Sequence, residues 1–399
     1  MNYPELKLRK GSERSLINGH PWVYSGALDQ PPEGIAPGDV VDVFDHRKRF
    51  VGRGYYNPHS GIRIRMLTSV RERAIDRNFF RQVIKQAHQL RQQSSLPTRT
   101  TAYRVVHGES DNLPGLVVDL YNDFLVVQFH TLGMERFRND IIDALEDLLQ
   151  PSGIYERSDV GTRRAEGLPD RPAGLLRGVP PPDFIRIEEC GTPLVVDIYN
   201  GQKTGFFLDQ RNNRLLLQSL SQGQSVLNCF AYTSGFSAHA LKGSARRTLD
   251  VDIAPAALPA ARQNLSANQT AGSCCDYLIA DVFPFIDELA ERGPRFDVVV
   301  LDPPSLLRKR SDFKKAMGIY TKLNRNALKL VRPGGLLVTA SCSNRISQED
   351  FFHILQRAAA SARTDTRILA YNLHPPDHPV NPAFPEGRYL KSIFARVLA

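Results

Sequence analysis

At 399 residues the chain is too long for one ordinary core, so two or three domains are expected. Hydrophobic residues at 42% and aromatics at 9% exclude a disordered chain. The 51 Lys/Arg against 42 Asp/Glu give +9, which suits a polyanionic partner.

Five cysteines, Cys190, Cys229, Cys274, Cys275 and Cys342, are odd in number and lack paired spacing. That argues against a disulfide framework or a zinc site, so no metal and a reducing, cytoplasmic location are expected. The N-terminal stretch turns charged within seven residues, and no run of about 18 uncharged apolar residues occurs. No membrane partner is expected.

From Leu6 to about Val70, short alternating runs such as "VVDVF" and "IRIRML" are separated by the turn stretches "NGHPW", "PPEGIAPGD" and "YYNPHSG". They predict a small β-barrel over 1–75, carrying twelve Lys/Arg against eight Asp/Glu. Arg14, Arg47, Lys48 and Arg49 are its candidate phosphate contacts. Trp22 suits either stacking on a base or core packing.

Asp76 precedes a run in which Phe79, Phe80, Val83, Ile84, Ala87 and Leu90 recur at helical spacing, predicting an N-capped amphipathic helix. Two β-rich runs follow about the turn Tyr121-Asn122-Asp123, then a helix over "ERFRNDIIDALEDLL". Residues 76–185 thus read as a central α+β domain. Between Gly161 and Phe184, five prolines, four glycines and four arginines predict an irregular basic excursion.

The remainder, 186–399, changes texture. "SVLNCF", "RRTLDVDI", "CDYLIAD", "FDVVVLDPP" and "GGLLVTASCS" read as buried strands alternating with helices such as "PAALPAARQNLSAN" and "YTKLNRNALKLV". This alternation predicts an α/β fold with a parallel, doubly wound sheet and ligand sites at the carboxyl ends of its strands.

Gly235 opens a helix behind the first strand, in a loop that includes Phe230, Tyr232 and Thr233. The second strand ends at Asp252, 17 residues on, where a carboxylate can accept both hydroxyls of a ribose; its alternative is a helix N-cap. The third strand ends at Asp281, placed to reach an adenine amino group or to cap the next helix. Ile253 and Val282, beside these acids, complete the loop candidates. Asp302 ends the fourth strand, and Pro303-Pro304 hold it rigid.

This order of loop and acids resembles the class I, Rossmann-like S-adenosylmethionine-dependent methyltransferases. "GQKTGFFLDQRNNR", "LNCFAYTSGFS", "FDVVVLDPPS", "TASCS" and "FPEGRYLK" are similar to the bacterial 23S ribosomal RNA cytosine-C5 methyltransferases of the large-subunit methyltransferase I type. "KGSERSLINGHPWVYSGAL" and "HGESDNLPGLVVDLY" resemble that family's PUA and central domains. Ser305-Leu306 depart from it, standing where a lysine and an aromatic would be expected.

The resemblance implies S-adenosylmethionine as cofactor and 23S RNA or an assembling large subunit as partner, with a monomer or homodimer equally open. Phe207 is then a candidate to stack near the adenosyl group, and Lys203 or Arg211 to meet the carboxylate. Cytosine carbon 5 needs help to take a methyl, and a thiolate adding at carbon 6 provides it. Cys342, flanked by serines at a strand end, fits that role; Asp302 fits a partner for nitrogen 3. Cys229, mid-strand, reads as packing. A uracil-C5 or guanine-nitrogen methyltransferase, or an inactive RNA-binding assembly factor, are the competing readings.

Overall fold

The computed structural model describes residues 3–29, 34–96, 98–307 and 310–398. Residues 31–33 of the turn stretch "PPEGIAPGD" lie outside them. The chain divides into two compact units: 1–185 with 202–204 and 376–387, and the remainder.

The first unit opens with β1 (Glu5–Lys7), α1 (Glu13–Ile17), β2 (Trp22–Tyr24), β3 (Val40–Phe44), β4 (Phe50–Tyr56) and β5 (Ile62–Thr68). Among the described residues they form a five-stranded sheet in the order β1-β3-β4-β5-β2. Its two edges meet where Arg9 N donates to Ala27 O (2.9 Å) and Asp29 N to Lys7 O (3.0 Å), closing the sheet as a barrel. Gly54 is required in β4, because a Cβ there would lie 2.3 Å from the Arg65 carbonyl oxygen.

Helix α2 (Arg77–Gln92) begins where the Asp76 carboxylate accepts from Phe79 N, at 2.9 Å. It buries Phe79, Phe80, Val83, Ile84 and Ala87, but Leu90 is exposed. Arg91 turns inward instead, because its guanidinium meets Asp111 through two 2.7 Å bonds.

Next come β6 (Ala102–His107), β7 (Leu116–Tyr121) and β8 (Phe124–Phe129), the last two joined at Asn122 with φ 53°. The helix expected over 135–149 is two, α3 (Leu132–Arg136) and α4 (Arg138–Leu149), broken at Phe137. Strand β9 (Gly153–Glu156), α5 (Thr162–Ala165) and β10 (Gly174–Gly178) follow. The basic excursion is therefore partly ordered: β10 extends the sheet β10-β9-β8-β7-β6, and Arg163 is buried on Glu135 (2.8 Å) and the Phe129 carbonyl (2.7 Å). Barrel and central sheet share one core, in which Val40, Tyr55 and Leu67 pack with Phe80, Val118 and Phe129.

The second unit begins with the hairpin β11 (Ile185–Glu189) and β12 (Thr192–Val196), then α6 (Arg211–Ser219). The wound part runs β13 (Ser225–Cys229), α7 (Gly235–Lys242), β14 (Arg247–Asp252), α8 (Leu258–Asn268), β15 (Cys274–Ile279), α9 (Val282–Arg292), β16 (Phe296–Leu301), α10 (Phe313–Leu330), β17 (Val331–Ser341), α11 (Gln348–Ala362), β18 (Thr366–Asn372) and β19 (Lys391–Val397). Its sheet order is β15-β14-β13-β16-β17-β19-β18. Alternate residues feed two cores: Leu227, Val299, Leu301 and Leu337 on one face, Val226, Val298, Val300 and Leu336 on the other.

The five expected strands are parallel, but β19 inserts antiparallel between β17 and β18. The expected parallel sheet is thus present, extended by an antiparallel strand beyond the five that were expected. A parallel neighbour needs a crossover, usually a helix, and the 373–390 connection carries no α-helix.

Candidate active site

The sheet brings the two central candidates together. Strands β16 and β17 are parallel neighbours with Leu301 paired to Thr339, so Asp302 and Cys342 leave adjacent strands at the same end. Cys342 is half-buried, and its Sγ lies 3.9 Å from the Pro303 carbonyl oxygen, against the Asp-Pro-Pro turn. Tyr320 of α10 stands behind them, fully buried, with its hydroxyl 3.3 Å from Ser341 Oγ. Burial pushes that phenol up to about 12, and the negative charges of Cys342 and Asp302 push in the same direction.

Asp302 is held by a relay of amides. Gln210 Nε2 donates to Asp302 Oδ1 (2.8 Å), Asn213 Nδ2 to Gln210 Oε1 (2.5 Å), and Asn372 Nδ2 to Asn213 Oδ1 (3.0 Å). Gln210 and Asn213 are buried. Both lie in the "GQKTGFFLDQRNNR" stretch but are not among the candidates Phe207, Lys203 and Arg211 expected there. Two amides three residues apart at a helix start were the signal available.

The loop after β13 is held by Asp252, whose carboxylate accepts from Tyr232 N and Ala254 N, both at 2.8 Å. Phe230, Tyr232 and Ser234 all have positive φ, at 61°, 47° and 63°. Left-handed backbone at three non-glycine residues is costly and needs such outside ties. The Tyr232 carbonyl accepts from Tyr277, and the Tyr232 hydroxyl donates to the Gly205 carbonyl, each at 2.9 Å. Gly235 serves packing: a Cβ would come within 3.1 Å of the Phe206 ring.

A nucleoside cofactor fits these residues. Asp252 is nearly buried at the strand end, Ile253 beside it is 65% exposed, and the buried Thr233 hydroxyl has no partner among the described residues. An acid for ribose hydroxyls and a bare aliphatic surface for a base thus adjoin. Asp281 is exposed and caps α9 by accepting from Phe283 N at 3.0 Å, while the Val282 side chain is buried in the core. Phe207, half-buried, meets the Tyr232 ring edge-on at 5.3 Å.

Arg211 is buried, 3.3 Å from Glu189 Oε2, within a cluster that includes Arg214 and His239. Burial opposes ionisation of Glu189, but the Arg214 and Arg211 guanidiniums hold its carboxyl below the usual range. The Arg211 guanidinium is thus engaged inside the fold, and this geometry does not support it as the carboxylate contact. Lys203 is exposed at φ 55°. Cys229 is fully buried, and burial pushes its thiol up, as a packing residue requires. Ser305 is exposed and Leu306 half-buried, its backbone bonded to the Tyr320 hydroxyl.

In the first unit, Arg14, Arg47, Lys48 and Arg49 are exposed. His46 Nδ1 lies 3.7 Å from Glu13 Oε1, bringing α1 and the β3–β4 turn together. Arg49 is also paired with Asp45 at 2.7 Å. Trp22 is half-buried, its indole N–H donating to Glu109 Oε1 (3.0 Å) and its ring edge-on to Phe384 at 4.7 Å, which is packing rather than an open platform.

Among the described residues, no helix is long and apolar enough to cross a membrane and no cluster of three or more metal-ligating side chains occurs. Residues 6–69 match the PUA-like domain and residues 160–388 the S-adenosylmethionine-dependent methyltransferase family. The chain is 39% identical over 397 residues to a Salmonella arizonae protein named ribosomal RNA large subunit methyltransferase I, covering 100% of this chain and 98% of the relative. The same name and identity hold for a Salmonella typhi relative over 99% of this chain and 98% of its own. A methyltransferase structure complexed with SAH superposes with a TM-score of 0.84 at 24% identity, over 99% of this chain and 100% of the other.

Proposed function

The chain belongs to the ribosomal RNA large subunit methyltransferase I family of S-adenosylmethionine-dependent methyltransferases, and from that premise we propose that it methylates carbon 5 of a cytosine in 23S ribosomal RNA through a covalent adduct at Cys342. The observation that carries this reading is the sulfur of Cys342 beside the Asp302-Pro303-Pro304 turn, at the sheet end that also carries Asp252 and the strained loop it holds. A methyltransferase acting on a base nitrogen has no use for a nucleophilic thiol there.

S-adenosylmethionine, when bound, supplies an electrophilic methyl on a sulfonium sulfur. Asp252 would accept from its ribose hydroxyls, and Ile253 and Phe207 would offer apolar surface to its adenosyl part. The target base must leave its stack to reach Cys342. The Cys342 thiolate would form an S–C6 bond as the C5–C6 electron pair moves onto carbon 5; that carbon would then bond the methyl as the methyl–sulfonium bond breaks, its electron pair staying on sulfur and leaving S-adenosylhomocysteine. Asp302 holds a proton at nitrogen 3 as charge builds on the ring. Loss of the carbon-5 proton to a base then restores the double bond and expels the thiolate. The exposed barrel residues Arg14, Arg47 and Lys48 are phosphate contacts that grip the RNA.

The test is methyl transfer from labelled cofactor to unmodified 23S RNA, with the modified base mapped and the measurement repeated with Cys342→Ala. The expected results are 5-methylcytosine from the native chain and loss of transfer in the variant. RNA carrying 5-fluorocytosine at the mapped site should trap a protein–RNA adduct, since fluorine cannot leave as a proton does. Normal 5-methylcytosine formation by Cys342→Ala would refute the mechanism. A methylated uracil or base nitrogen would refute the substrate assignment.

A further inference from the structure

A buried lysine behind the candidate nucleophile has no part in the mechanism so far. Lys391 opens β19 directly across from Ser341, the last residue of β17, so its side chain leaves the sheet one residue from Cys342. It is buried at 3% exposure, and its ammonium donates to the carbonyls of Ser343 (2.5 Å) and Ile346 (2.7 Å). These two carbonyls bound the turn that follows the cysteine. An ammonium has three donors, so one remains after these two bonds.

Burying an ammonium is costly unless an anion or full hydrogen bonding compensates. Burial pushes Lys391 down to about 8, and the groups opposing that fall are Cys342 and Asp350. The charged and titratable groups about the sulfur come from several elements. Asp302 stands at the end of β16, Tyr320 on α10, Lys391 on β19, the exposed Arg345 on the cysteine's own loop, and Asp350 on α11 faces Lys391. Of these, the Asp302 carboxylate disfavours a thiolate, whereas the Tyr320 phenol, pushed up to about 12, stays neutral where a thiol titrates.

We propose that Lys391 is a positioning residue that stabilises the thiolate of Cys342 and fixes the 343–346 turn behind it. The proposal rests on the reading of Cys342 as nucleophile. An opposite charge within about 4–6 Å lowers a group's titration by about 1–3 pH units, and the thiolate fraction at neutral pH rises about tenfold for each unit.

Lys391→Gln separates charge from hydrogen bonding, since its amide can still donate to both carbonyls. Lys391→Met removes both. Iodoacetamide labelling across pH, quantified at the Cys342 peptide with the exposed Cys274 as internal control, reads the thiol directly. In Lys391→Gln the Cys342 midpoint should rise by about one unit or more, with about tenfold slower labelling at neutral pH and Cys274 unmoved. Methyl transfer should fall at neutral pH and recover as pH rises, a rescue that a merely structural role would not give.

A Cys342 midpoint in folded Lys391→Gln equal to that of the native chain overturns the proposal. If only Lys391→Met folds, the same criterion applies to it. If neither folds, the native chain decides: a Cys342 midpoint at or above that of Cys274 overturns the proposal, and one below supports it. Cys342→Ala keeps the two readings apart. Transfer that survives in Cys342→Ala removes the nucleophile, whereas loss of transfer there with an unmoved midpoint in Lys391→Gln removes only the role of Lys391.

Discussion

Gln210→Leu removes the donor to Asp302 while keeping side-chain volume. In the native chain Gln210 Oε1 accepts from Asn213, so its Nε2 must face Asp302; the relay fixes which way the amide points. A hydrogen bond to a charged group is worth about 1.5–3 kcal/mol. If that energy acts on the orientation of Asp302 in the transition state, methyl transfer slows by roughly 10- to 150-fold. Single-turnover transfer to 23S RNA at saturating cofactor reads the effect, and calorimetry should show cofactor affinity unchanged. Asn213→Leu alone should cost less, and the double variant no more than Gln210→Leu alone, because members of one relay are not additive. A single-turnover rate within about threefold of native in Gln210→Leu would refute the relay as a catalytic support.

Glu189→Gln leaves the buried Arg211 and Arg214 guanidiniums without their anion, and should lower stability by about 3–5 kcal/mol in chemical denaturation. Burial pushes the Asp250 carboxyl up to about 6, against the Ser237 hydroxyl, which donates to it. The folded state therefore retains a proton that the unfolded chain loses near 4, so this contribution is complete below about pH 4 and lost as pH rises through about 6. Asp250→Asn should flatten that slope, by about 3 kcal/mol at most, in denaturation midpoints measured across pH. Replacing Arg47 and Lys48 with Ser should weaken 23S RNA binding and reduce its salt dependence by up to about two counterions, read from affinity against salt concentration.

The elements with strong local signals were legible in the sequence: the Asp76 cap, the hairpin about Asn122, and the five wound strands, whose near-continuous apolar runs mark a buried sheet. Strand β18 was not, because its burial is slight and Ile368 and Leu369 stay exposed, so no hydrophobic periodicity announces it. An arginine looks solvated in sequence, yet Arg91, Arg163 and Arg211 are buried. Each is buried only because a carboxylate from elsewhere in the chain, Asp111, Glu135 or Glu189, meets it. Sequence spacing carries no trace of such pairs.

The same contrast separates the candidate pair Cys342 and Asp302 from the residues packed around them. Cys342 and Asp302 sit where strands end, and a reactive side chain after an apolar run is visible one residue at a time. Gln210, Tyr320 and Lys391 act from a helix start, a helix interior and a late strand, and none stands out in its own segment. What joins them is the order of the sheet: β17 lies between β16 and β19, so one neighbour presents the carboxylate and the other the ammonium to the loop that holds the thiol. The antiparallel insertion of β19 sets Lys391, its first residue, opposite the last residue of β17, at the strand end where Cys342 emerges. A parallel β19 would carry its first residue to the opposite edge of the sheet. The antiparallel strand is therefore what brings the Lys391 ammonium to the carbonyls of the loop that follows Cys342.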